Sequence, residues 1–146
     1  MYSSSVIAAT LVFYAVSPHV YGVKVTGHLT FQDGAPEKIP DGSHLRVTLE
    51  DANMMDTGAK HLGHFTHKFK DHKPTDSIRY EIKDAKRPEN GMSASLSAVL
   101  NVGWSPDDEK PDDWIRSGDF MNDVHHDVDV RSDVEDYEKD INVVQI

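Results

Sequence analysis

Apolar and polar residues alternate with period two through most of the chain, the pattern of strands with one buried face. Val23, Val25, Leu29 and Phe31 alternate with Lys24, Thr26, His28 and Thr30. Leu45, Val47 and Leu49 stand against Arg46, Thr48 and Glu50, and Ile78, Tyr80 and Ile82 against Arg79 and Glu81. The longest run is Ala94, Leu96, Ala98, Leu100, Val102 and Trp104, facing away from Ser95, Ser97 and Asn101. Val124, Val128 and Val130 make a further run, and Tyr137, Ile141 and Val143 the last. The segment 60–70 reads two ways: Phe65 and Phe69 are spaced for a helix, whereas Phe65, His67 and Phe69 fit a strand. The strand is preferred, with a bulge near Gly63.

Turn dipeptides separate these runs: Asp33-Gly34, Asp41-Gly42 and Asn90-Gly91. About seven short strands with no strong helix predict an all-β fold, a single antiparallel β-sandwich or barrel-like domain. No internal repeat or linker divides it.

The first 22 residues break the pattern. They contain no Lys, Arg, Asp or Glu, and Val6 to Val16 form an apolar block too short for a bilayer, which takes roughly 20 residues. Val20-Tyr21-Gly22 supplies a cleavage site between Gly22 and Val23. The expectation is a signal peptide over 1–22, a mature domain over 23–146, and an extracellular, secreted product. The alternatives are an uncleaved anchor or a buried strand.

Composition narrows the function classes. There is no cysteine, so disulfides and thiol chemistry are excluded, and no second hydrophobic segment supplies a membrane anchor. Fifteen basic residues against 25 acidic leave a net charge of −10 and no basic stripe, which excludes nucleic acid and disfavours anionic membranes. Asn53, Asn90, Asn101, Asn122 and Asn142 all lack Ser or Thr two positions on, so there is no N-glycosylation site.

Candidate chemistry is sparse. No nucleophile elbow or phosphate-binding glycine loop is present, so the chain reads as no enzyme and as needing no cofactor. Nine histidines raise the question of metal. On a regular strand His61 and His67 share a face but lie too far apart to chelate one ion; on a helix His61, His64 and His67 could act in pairs. His125 and His126 point to opposite faces of a strand. Residues 127–138 place Asp127, Asp129 and Glu138 where a calcium loop has ligands, but Arg131 and Ser132 spoil its fifth and sixth positions. The segment 105–113 gathers Asp107, Asp108, Glu109, Asp112 and Asp113 with two prolines. It is expected to stay extended and mobile and to attract Ca²⁺ only weakly, around millimolar. Trp104 and Trp114 flank it. They are candidates for a ligand cleft, although a tryptophan ending an alternating strand is more often a core anchor.

The segments VTGHLTF (25–31) and IPDGSHLRVTLEDANMMDTGAKHLG (39–63) resemble the YbaY-like lipoprotein family, which includes the YscW-type pilotins of type III secretion. The shared pattern is a V-x-G-x-(L/V)-x-F strand, an L-P-x-G/D turn (Ile39-Pro40-Asp41-Gly42 here), a V-x-L-x-D strand and a D-x-x-A-x-x-(L/I)-G continuation. SGDFMNDVHHDV (117–128) fits the closing strands, and 100–124 looks most like secreted animal members. The resemblance spans about 23–146 and implies a small β-sandwich without catalytic residues. Bacterial members carry a lipid on an N-terminal cysteine; this chain has none, so neither the lipid nor the pilotin role carries over. The function expected is a secreted binding module for a protein or small ligand. The alternative is an acidic structural component of a calcified extracellular matrix.

Overall fold

Each alternating run becomes a strand because its apolar set has one sheet face to occupy. The computed structural model describes residues 22–51, 60–88, 93–109 and 113–146. Residues 1–21 of the expected signal segment 1–22, and the dipeptide Asn90-Gly91, lie outside them. The strands are β1 (Val23–Phe31), β2 (His44–Asp51), β3 (Lys60–Lys68), β4 (Arg79–Ala85), β5 (Ser93–Asn101), β6 (Phe120–Met121), β7 (His126–Asp129), β8 (Asp136–Glu138) and β9 (Ile141–Gln145). One helical turn, α1 (Pro106–Glu109), follows β5.

The strands form one sheet in the order β3-β2-β5-β6-β9-β1-β4, with β7 added to β5 and β8 to β1. The sheet curls until its first and last members meet, which makes it a nearly closed barrel. At the meeting point Lys86 N–H donates to the Leu62 carbonyl at 3.0 Å. A side chain at Gly63 would come within 2.9 Å of Ile82 and 3.0 Å of Ala85, so the absent side chain permits the approach. Val25, Val47, Leu49, Ile82, Leu96, Leu100, Ile141 and Val143 fill the interior.

The all-β expectation holds, and the preferred strand over 60–70 is β3. Its bulge falls where expected: Leu49 pairs with Gly63 and Glu50 with His61, leaving Leu62 as the extra residue. Four details differ. The pairings are not all antiparallel, since β8 and β9 run parallel to β1. The last alternating run is two strands rather than one, divided at Lys139 and Asp140. The β5 run stops at Asn101, which is buried instead of facing solvent. Val124 precedes β7 and is exposed, whereas Val128 and Val130 are buried.

The division between β8 and β9 has a specific cause. Lys139 N–H donates to the Thr26 carbonyl at 2.8 Å. Its own carbonyl turns inward over Gly27, at a point 1.9 Å from where a β-carbon would stand. The Tyr80 hydroxyl donates to that carbonyl from within the core. Burial, with the Asp140 carboxylate adding to it, pushes this hydroxyl well above the ordinary tyrosine range, so it stays a proton donor. Tyr80→Phe removes the donor and leaves the part-buried Lys139 carbonyl without it. The expected loss is about 2 kcal/mol, read as a lower urea midpoint with an unchanged slope.

Candidate functional site

β3 and β4 meet at the Leu62–Ala85 end, and toward Lys68 and Arg79 a cleft opens between them. Phe65 and His67 lie opposite Val47 and Leu45 on β2, both buried, so they belong to the inward face. His67 is nevertheless exposed, because the wall that β4 would supply has moved away. The rings run as a ladder: Phe65 and His67 stack 6.4 Å apart, His67 meets Phe69 edge-on at 4.7 Å, and Phe69 meets His72 at 5.3 Å. Phe69, Ile78 and Tyr80 form the buried floor.

The opening comprises two adjoining hollows of about 620 and 480 Å³ that share Phe65 and Arg79. One continues toward Phe69 and His72, the other toward Tyr137 and the Lys24–Glu81 ion pair at 3.2 Å. Charge of both signs rims the cleft, with Lys70, Asp71 and Asp76 on one side. The turn at its mouth is braced: Asp71 takes a left-handed φ of 55° and donates its N–H to the Asp41 carboxylate at 2.8 Å. The strand edges also face it. Phe69 N–H donates to Ser43 on the β2 side, and the Ile78 carbonyl accepts from Leu29 on β1. Alternation therefore turns the main-chain groups of Thr66 on β3 and of Arg79 and Glu81 on β4 toward the opening.

The tryptophans expected to flank a ligand cleft part company. Trp104 is buried, and its indole N–H donates to both Asp119 oxygens at 3.0 and 3.1 Å. The Arg116 guanidinium covers its ring at 3.8 Å from the centroid. Trp114 is 56% exposed, and neither ring lines the β3–β4 cleft. Asp119 also accepts from Asn101 Nδ2 and from the backbone N–H groups of Val102 and Arg116, each at 2.9 Å. The sequence reading missed Asp119 and Asn101. The available signal was the indole itself, since a buried Trp N–H needs an acceptor.

Over Pro106–Glu109 the acidic segment is a helical turn and not the extended chain expected. Ser105 and Pro106 supply a cap and a first helical residue, Ser105 Oγ accepting from Asp107 N–H at 3.3 Å, and a helical turn forms. Asp107 lies 3.6 Å from Nε2 of the buried His44, and Asp113 bonds Arg116 at 3.3 Å. Asp108 and Glu109 fall in the helical turn, and Asp112 lies outside the described residues. The calcium-loop match dissolves across two strands: Asp127 and Asp129 belong to β7 and Glu138 to β8. Among the described residues no three His, Asp or Glu side chains converge as a metal cluster. Gly22 precedes β1, and the buried Val23 is its first residue.

No family model matches the chain, and no curated protein matches it. Among solved structures, an alternative pilotin from the type II secretion system of Vibrio cholerae is similar, with a TM-score of 0.54 and 17% identity. The match covers 84% of this chain and 97% of that one. The fold is pilotin-like. That likeness gives the architecture a precedent without assigning residues, so the β3–β4 cleft stands on its own geometry. No helix among the described residues is long and apolar enough to cross a membrane.

Proposed function

We propose that this chain is a secreted, non-enzymatic binding module that holds an extended segment of a partner protein in the β3–β4 cleft. The observation that carries the reading is the combination of diverging strand edges with an aromatic ladder between them. Edge main-chain groups supply hydrogen bonds to an added strand, and pockets for alternate side chains supply selectivity. Phe65, His67 and Phe69 offer aromatic surface, and the mixed rim suits a polypeptide better than a single charged small molecule. A pilotin belongs to a protein assembly, which supports an interaction role for the fold, and the YbaY-like motifs are consistent with that lineage.

The test is a library of short linear peptides selected against the full chain. Selected peptides should alternate apolar and polar residues and shift the amide signals of Phe65, Thr66, Phe69 and Arg79. Phe65→Glu should weaken them by about tenfold or more, the equivalent of 1.4 kcal/mol. Perturbation confined to 105–116 or to the outer face of β5 would overturn the assignment.

A further inference from the structure

We propose that His61 and His64 form an open two-imidazole site for a divalent transition metal of the Cu²⁺ or Zn²⁺ kind on the outer face of β3. On a regular strand residues three apart point to opposite faces, roughly 10 Å apart along the chain. The extra residue Leu62 removes that obstacle. His61 sits opposite Glu50 and His64 opposite Thr48, positions two apart on β2 that share its outer face. The two rings consequently lie 5.1 Å apart, and His61 Nε2 and His64 Nδ1 share a 3.1 Å hydrogen bond whose proton an ion would displace.

That spacing fits a chelate. A metal at about 2.0–2.1 Å from both nitrogens would subtend an angle of about 100°, between the square-planar and tetrahedral values. Both histidines are solvent-exposed, so the ion need not be stripped of all its water. With no third His, Asp or Glu converging among the described residues, the remaining positions fall to water or to a group brought by another molecule. Other histidines are placed differently. His126 Nδ1 lies 3.1 Å from the Val124 carbonyl and its Nε2 accepts from Asn142 N–H, so both nitrogens are engaged. His67 is sandwiched in the cleft ladder, and His44 is buried. The site faces away from the cleft and does not depend on peptide binding there.

Histidine-ring NMR signals of the tag-free full chain, followed during substoichiometric Cu²⁺ addition, test the assignment. The His61 and His64 rings should broaden first and together. Zn²⁺ titrated by calorimetry should show one equivalent, bound more weakly than Cu²⁺. His61→Ala and His64→Ala should each weaken binding by at least about tenfold while leaving the thermal midpoint in place, and His125→Ala should leave binding unchanged. Broadening that begins at His125 or at the chain terminus, or spreads evenly over exposed histidines, would overturn it. So would undiminished binding in either alanine variant.

Discussion

Gly27→Ala should destabilise the domain by about 4 kcal/mol, although the same change in an ordinary strand interior is stabilising by roughly 0.5–1 kcal/mol. The sign reverses because the new β-carbon would stand 1.9 Å from the Lys139 carbonyl oxygen and 2.6 Å from its carbon. The obstacle is backbone, so no rotamer change relieves it. Either β1 or the β8–β9 connection must move by more than an ångström. That movement breaks the Lys139 N–H bond to Thr26 and the Tyr80 hydroxyl bond to Lys139. Each such bond contributes about 1 kcal/mol, and the buried Tyr80 hydroxyl left without its acceptor costs more. A loss of this size is a large share of the 5–15 kcal/mol typical of a domain. Urea denaturation measures the total. Amide exchange should show faster opening across Asp136–Gln145 than across β2 and β5. A loss below about 1 kcal/mol would mean that the connection relocates freely.

Gly27 also marks how far the sequence could be read. It holds the glycine place of the V-x-G-x-L-x-F run, and alternation placed it on the buried face. Nothing local said that a carbonyl more than a hundred residues away occupies the space. Strands with one wet face were legible, as in Leu45–Leu49 and Ala94–Leu100, because burial of one face imposes period two. Pairing direction was not, since a parallel neighbour such as β9 leaves the same alternation in β1. Gly63 announced a bulge, but its effect on His61 and His64 needed the register against β2. The cleft was hidden for a topological reason. Phe65, His67 and Phe69 read as one more buried face, and only the incomplete closure between β3 and β4 exposes it. Asn101 and Asp119 look like surface residues one at a time and are buried only as a pair.

That pair leads to the second large effect: Asp119→Ala should cost about 4 kcal/mol and lower the thermal midpoint by on the order of 10 °C or more. The carboxylate is 1% exposed and accepts from the Trp104 indole, the Asn101 amide and the backbone N–H groups of Val102 and Arg116. Hydrogen bonds to an ionised group contribute roughly 1.5–3 kcal/mol each, and they do not add fully. Alanine leaves these donors facing a void, the indole and the Asn101 amide among them. Asparagine is a sharper probe. It retains one acceptor oxygen but puts an amide N–H₂ among donors, so at least one donor meets another donor. Asp119→Asn should therefore recover little of the loss. Trp104, freed from its acceptor, should shift its emission to the red in both variants. Asp113→Asn, which touches only the exposed bond to Arg116, should stay within about 1 kcal/mol of the parent. Parent-like stability in Asp119→Asn would show that hydrogen-bond shape, rather than negative charge, holds the β5 end to the β6 segment.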